Sequence, residues 1–264
     1  MDFGGKCITI TFGDQAENHK GMQIIGELAD SGFNYNDLQN IKANFEDKNY
    51  NCNLYDLKTG LVGLSDEEKN NIDNAYLLII KNGSNYFLSN MDKDSDDLFT
   101  ELTNLKYDDK AFMYGRVVNK HARHNLCFSD FKQKSKYSDG KGTVVDFKDV
   151  KLLNQIRKNL HKMCTDKAEN LQGEANLYFD VNQCGISYHG DKERFLVVGV
   201  RLGETIPLAY QWYYKNDRIG DKMIFNNISH GDIYIMSEKA TGNDWKKKNT
   251  YTLRHAAGSQ KYIA

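Results

Sequence analysis

The triplet His189-Gly190-Asp191 and the later His255 are the residues whose types and spacing point most directly to chemistry. Side chains two positions apart on extended backbone face the same side, so an imidazole and a carboxylate separated by one residue can grip one ion together. A second imidazole from a distant strand would complete a two-histidine, one-carboxylate facial set. That set leaves coordination positions open and suits non-haem iron. Beyond the triplet, His230 and His255 are the histidines able to supply that ring. His230 precedes Gly231-Asp232, a turn into the run Ile233-Tyr234-Ile235-Met236. His255 instead ends the run Tyr251-Thr252-Leu253-Arg254 and is followed by Ala256-Ala257-Gly258. Small neighbours leave room for an ion and its ligands, which favours His255. On spacing alone a second reading stays open: a capping or surface histidine beside an aspartate that bonds its own turn.

The elements around these residues are strand-like. From Asn176 onward, short runs follow one another at 176–181, 185–189, 195–202, 208–214, 222–225, 232–236 and 251–255, with turn residues such as Gly190, Gly203 and Gly231 between them. Many short strands at such spacing predict a β-sandwich or barrel, here a jelly-roll-like core. Val150 to Met163 has the apolar stripe of an amphipathic helix. The first hundred residues mix patterns: a strand over Cys7–Phe12, helical spacing over Met22–Ala29, and an apolar run Ala75–Ile80. Asn82-Gly83 then reads as a hairpin or turn signal before Tyr86-Phe87-Leu88. Asp92, Asp94 and Asp96 open like a calcium loop, but Asp97 stands where the turn glycine belongs and Thr103 where the closing glutamate does. This acidic stretch is read as a solvated surface turn. A soft boundary is expected near residue 105, separating an N-terminal α/β extension (1–104) of unassigned role from the strand-rich part (105–264).

Composition bounds the partners. With 264 residues, 40% hydrophobic and 27% charged, the chain is ordinary for a globular protein with a sizeable core. A formal net charge of -1 gives no global basic field to attract nucleic acid or anionic lipid. No apolar stretch approaches the roughly 20 residues that span a bilayer, and the N-terminus lacks the build of a secretory signal. Five scattered cysteines without a C-x-x-C pair predict buried reduced thiols, hence a reducing intracellular compartment, cytoplasm or nucleus.

Four blocks agree in order with one known family. They are Ala122-Arg123-His124-Asn125-Leu126-Cys127-Phe128-Ser129-Asp130; Asn176-Leu177-Tyr178 leading into His189-Gly190-Asp191-Lys192-Glu193; Val197-Val198-Gly199-Val200-Arg201-Leu202-Gly203; and Gly231-Asp232-Ile233-Tyr234-Ile235-Met236. Through them the chain, from about residue 120 to 262, resembles the AlkB-like branch of the iron(II)/2-oxoglutarate-dependent oxygenases. The resemblance implies an α+β fold with a double-stranded β-helix (jelly-roll) core and flanking helices. It also implies iron(II) on the catalytic residues His189, Asp191 and His255, 2-oxoglutarate contacted by Asn176 and Tyr178, and dioxygen as oxidant. The implied reaction demethylates or hydroxylates a nucleobase of DNA or RNA, flipped out or single-stranded. Protein or small-molecule hydroxylation on the same fold, and a non-catalytic binding module, are the alternatives.

The chain departs from the family near its end. An aromatic-x-His is usual soon after the Gly-Asp strand, whereas Asp244-Trp245 is followed here by Lys246-Lys247-Lys248. Of two usual arginines on the last strand only Arg254 has a match. A co-substrate carboxylate needs a buried cation with two-pronged hydrogen bonding. Arg254, adjacent to His255, faces away from it on a regular strand. Lys261 is expected on a final short strand facing inward, and Arg201 lies in a core strand of otherwise apolar character. Arg201 and Lys261 therefore rank above Arg254, with a structural pairing of Arg201 to Glu204 or Asp232 as the alternative. Trp245 with Lys246–Lys248, and Lys120-His121-Ala122-Arg123, are the candidate nucleic-acid contacts. His19 is read as a surface or capping residue.

Overall fold

The computed structural model describes residues 2–264. In chain order the strands are β1 (Cys7–Gly13), β2 (Gln15–Glu17), β3 (Ile24–Gly26), β4 (Cys52–Asp56), β5 (Tyr76–Ile80), β6 (Lys110–Met113), β7 (Arg116–Asn119) and β8 (His124–Ser129). They continue with β9 (Val144–Asp146), β10 (Gln172–Tyr178), β11 (Gly185–His189), β12 (Val197–Gly203), β13 (Leu208–Tyr214), β14 (Asp217–Phe225), β15 (Ile233–Met236) and β16 (Thr252–Gly258). The longer helices are α1 (Tyr35–Glu46), α2 (Asp66–Asn70), α3 (Gly83–Leu88), α4 (Ser95–Thr103) and α5 (Lys151–Cys164), followed by the single turns α6 (Glu238–Thr241) and α7 (Gln260–Ile263).

The strands form an eight-stranded sheet, β4-β5-β15-β12-β1-β10-β8-β9, and a four-stranded sheet, β11-β16-β13-β14, beside the hairpins β2-β3 and β6-β7. The result is a strand-rich mixed α/β architecture. Both β1 and β12 are buried at every position, because each face of the large sheet is covered. Alternation along β1 divides its side chains between two layers. Ile8, Ile10 and Phe12 join Leu38, Phe45, Leu153 and Ile156 from α1 and α5 in the helix-side core. Cys7 falls on the other side, in a layer shared with Tyr210, Trp212 and Leu253 of the small sheet. The functional site lies where this inter-sheet layer turns polar.

The expected strands at 185–189 and 208–214 match β11 and β13 at both ends, and the helix expected at 150–163 is α5. Three local expectations fail in whole or in part. Met22–Ala29 is not helical: Gly26 takes φ 86 and Ile24–Gly26 pairs with β2 as a hairpin. Asn82-Gly83 makes a turn but not a hairpin, because Asn82 at φ 53 leads directly into α3 and β5 finds its partners in β4 and β15. The acidic stretch is not a solvated turn throughout. Asp94 caps α4, accepting from the backbone N–H groups of Asp96 and Asp97 in a reciprocal capping box. The boundary expected near residue 105 divides the sequence but not the sheet. Strands β1, β4 and β5 sit in the same sheet as β8, β10, β12 and β15, since the apolar faces of these N-terminal strands can be buried only there. Among the described residues no helix is long and apolar enough to cross a membrane.

Candidate metal centre and its cavity

Pairing of β11 with β16 sets His189 directly opposite His255, and residues opposite each other in an antiparallel ladder share a face. Asp191 follows after the chain leaves β11. Gly190 permits that exit: a Cβ there would stand 2.0 Å from the carbonyl oxygen of Gly242. His189 Nε2 lies 3.5 Å from Asp191 Oδ1, and His255 Nε2 lies 3.6 Å from the same oxygen. One donor atom from each of the three residues can be chosen so that all lie within 4.8 Å of one another. Donors each about 2.1 Å from a common ion stand roughly 3–3.5 Å apart, so the two separations from Asp191 already nearly fit one metal and the donors would draw together further on binding it.

The protonation states suit such a role. Burial alone would raise the Asp191 carboxyl, but the Arg194 guanidinium and the rings of His255 and His189 outweigh it and hold the group well below the usual carboxylate range. Burial, aided by the neighbouring His189, lowers the His255 imidazole and keeps it neutral. His189 Nδ1 lies 2.9 Å from the carbonyl oxygen of Ser187, which fixes the tautomer and leaves Nε2 as the donor atom. His230, the rejected alternative, is elsewhere: its Nδ1 accepts from the Gly203 backbone and its ring stacks on Phe3.

The three residues open onto a cavity of about 760 Å³ between the two sheets. Its floor includes Thr9, Asn176, Tyr178, Arg201 and Tyr234. Arg201 is fully buried (0% exposed), and the expected pairing with Glu204 or Asp232 is not made. Asp232 instead accepts from Lys81 and from the backbone N–H groups of Asn82 and Ser229. Among the described residues, Arg201 has only the Cys7 thiol at 3.7 Å and the Tyr234 ring at 6.0 Å, and its Nε has no partner. Thr9 Oγ1, across the ladder from Arg201, and His255 Nδ1 are likewise buried without partners. Asn176 accepts from Arg123 Nε at 2.6 Å and from Asn125 Nδ2 at 2.7 Å, and it donates to Glu174 at 3.1 Å.

Lys261 and Arg254 are placed otherwise. Lys261 belongs to the exposed helical turn α7, not to a final strand, and packs over Tyr262. Arg254 stacks on Tyr213 at 3.9 Å and donates to Asn216. Neither lines the cavity. Of the basic candidates, Lys120 is buried and donates to Asn18 and Asn125, so it cannot meet a phosphate. Arg123 faces the cavity, while Lys246 to Lys248 are exposed at its rim or beside it.

Several wall residues escaped the sequence reading. The turn after β2, with half-buried His19 and exposed Lys20, lines the mouth of the cavity. Arg194, buried beside the triplet, donates to Glu174 at 2.5 Å and to Glu193 at 2.8 Å and lies 3.8 Å from Asp191. Threonines at alternate positions 9 and 11 of an otherwise apolar strand were the legible sign that β1 has a polar face. Nothing local marks Arg194.

No protein-family model matches this chain. It is 47% identical over 258 residues, 98% of each chain, to the uncharacterized protein R156 of Acanthamoeba polyphaga mimivirus. At that identity, along nearly the whole length, the chain belongs to the family of this mimivirus protein.

Proposed function

We propose that this protein is an iron(II)- and 2-oxoglutarate-dependent oxygenase of AlkB-like type, with the metal on His189, Asp191 and His255. The observation that carries this reading is one cavity with two complementary ends. One end offers two imidazoles and an ionised carboxylate; the other holds a buried guanidinium without a carboxylate partner. The first suits a divalent metal, and the second suits an organic carboxylate. Strands β10 to β16 distribute over two sheets with a place between β10 and β12 that β1 fills. This supports a jelly roll of eight strands, with the eighth supplied from the N-terminus.

Bound iron, with 2-oxoglutarate and dioxygen, would supply the oxidising power for substrate C–H bonds. The chain's own residues bind and orient. Asp191 provides the anionic donor, and the Ser187 carbonyl holds the His189 ring in its ligating tautomer. Arg201 would hold the distal carboxylate of the co-substrate, with Thr9 and Tyr178 lining the same cavity. Asn176, fixed by Arg123 and Asn125, positions that wall. The Cys7, Tyr210 and Trp212 layer keeps bulk water from the floor.

For the substrate, Lys246–Lys248 beside Trp245 at the rim support a nucleobase carried on a phosphate backbone. Burial of Lys120 removes one expected phosphate contact. Together with the net charge of -1 it favours the second reading, a protein or small-molecule hydroxylase on the same fold.

Anaerobic titration with iron(II) and 2-oxoglutarate tests the assignment. A visible charge-transfer band should develop with one equivalent of each. His189→Ala, Asp191→Ala and His255→Ala should each abolish it while far-UV dichroism stays unchanged. Absence of a band from the unaltered protein would remove the assignment.

A further inference from the structure

Lys120, which follows β7, is a buried ammonium used by neither the metal end nor the Arg201 end of the cavity. Its three N–H bonds go to uncharged oxygens: Asn18 Oδ1 at 2.8 Å, Asn125 Oδ1 at 2.9 Å and the Asn18 carbonyl at 3.4 Å. Each asparagine passes the polarity on. Asn18 Nδ2 donates to Asp108 at 2.9 Å. Asn125 Nδ2 donates to Asn176 Oδ1 at 2.7 Å, and Asn176 Nδ2 donates to Glu174 at 3.1 Å. Two amide relays thus run from one ammonium to two buried carboxylates, each amide oxygen turned toward the cationic end and each NH2 toward the anionic end. Bonds in such chains polarise and strengthen one another.

Both relays pass through the cavity wall. Asn18 lies at the mouth, in the turn between β2 and β3, and Asn176 lies on the floor. A side-chain amide has two N–H donors. Asn176, its oxygen held by Asn125 and by Arg123 at 2.6 Å, therefore keeps one N–H for the cavity. Turned over, it would present an oxygen there and repel an anion. The turn that holds Asn18 also carries Lys20, whose ammonium stands 5.3 Å from the centre of the Trp245 ring. Mouth and floor are fastened to one charge.

We propose that Lys120 is a positioning residue: acting through Asn125 and Asn18, its ammonium holds the Asn176 amide in the orientation that receives an anion and keeps the turn at the mouth in place. For the co-substrate this rests on the oxygenase reading; the hold on the turn does not. Burial among neutral acceptors pushes Lys120 down to about 8. Loss of its proton as pH rises through that value removes the charge that orients both amides. The groups facing it are Asp108, Glu174, Arg123, Cys127, His19 and His124. Burial lowers both imidazoles from 6.5 and raises the Cys127 thiol well above its ordinary range, so none of the three changes charge between pH 7 and 9. Tyr137, on Asp108, is pushed up to about 12. Glu17, in the same turn as Asn18, is raised to about 7 and needs a control.

Two readouts on the full chain test the proposal. In the anaerobic iron(II) titration, the half-saturating concentration of 2-oxoglutarate should rise by up to about tenfold between pH 7 and 9. The second readout needs neither metal nor co-substrate. Trp212 is fully buried while Trp245 is half-buried beside Lys20, so acrylamide quenching of indole emission reports on the mouth. Quenching should increase in one step with its midpoint near the value for Lys120. Lys120→Met should abolish both pH dependences, and Glu17→Gln should retain them. A level quenching profile in the unaltered protein overturns the proposal even where Lys120→Met does not fold. A step that survives Lys120→Met, or one that Glu17→Gln removes, overturns it too. A quenching step without a charge-transfer band sinks the oxygenase reading alone, and a band with level profiles sinks the role of Lys120 alone.

Discussion

Arg201 is a guanidinium that the fold keeps dry without giving it an anion, and that arrangement has measurable consequences. A charge-assisted hydrogen bond is worth about 1.5–3 kcal/mol. Arg201→Met should therefore raise the half-saturating concentration of 2-oxoglutarate by about 10- to 150-fold in the charge-transfer titration. Metal affinity should barely change. The same substitution should leave the thermal midpoint of the ligand-free protein equal or higher, since an apolar side chain replaces a buried unpaired cation. His255 gives the pH dependence. Its folded-state pKa is lowered from the ordinary 6.5 by burial, so the unfolded chain takes up the proton first. The stability it contributes is complete above 6.5 and declines as pH falls from there toward the lowered value. Asp191, also lowered, adds a second loss at more acid pH, below the ordinary carboxylate value of 3.8. Denaturant midpoints of the metal-free protein should fall in that sequence, and His255→Gln should shrink the first step, to which the imidazoles of His19, His124 and His230, also lowered by burial, contribute as well.

At the scale of elements, what could be read beforehand depended on whether the signal was local. The run Cys7–Phe12 announces a strand by its β-branched residues, and Gly185–His189 and Leu208–Tyr214 are bounded by turn chemistry. The His189-Gly190-Asp191 spacing likewise lies within one segment. His255 could be favoured over His230 only through the size of its neighbours, because the ladder from β11 to β16 that brings it near leaves no mark in either segment. The same limit explains Met22–Ala29. Ile24, Ile25 and Leu28 fit a helical face, yet Ile25 is buried while Ile24 and Leu28 stand exposed on the cavity rim of a hairpin. Arg201 was legible as an oddity in an apolar strand, but its freedom from Glu204 and Asp232 is a property of the packed molecule. Element-level predictions follow from burial and capping. Ile10→Ala, in a strand paired on both edges, should cost about 2–5 kcal/mol by denaturant unfolding. Asp94→Ala should cost about 1 kcal/mol through loss of the α4 cap.

For the whole molecule, a net charge of -1 means that any attraction to a polyanion must come from a local patch. Lys246, Lys247 and Lys248 are exposed together near the mouth of the cavity. If the substrate is a nucleic acid, affinity for a single-stranded oligonucleotide should weaken linearly on a double-logarithmic salt plot, at about 0.7 per neutralised phosphate. Replacing the three lysines by glutamine should flatten that slope by about two, as read by fluorescence anisotropy. A slope unaltered by the triple change would point to the protein or small-molecule reading.

The position of β1 also bears on how the chain is made. It is made before both its neighbours, β10 and β12, which begin at Gln172 and Val197. At synthesis rates of about 5–20 residues per second, Ile8, Ile10 and Phe12 wait roughly ten seconds or longer before any edge exists to receive them. During that interval an apolar, β-prone segment of the nascent chain lacks its partners, and the large sheet cannot close around its centre. Burial of β1 in the sheet thus waits until β12 has been made, and nascent-chain chaperones are the expected custodians of the segment until then.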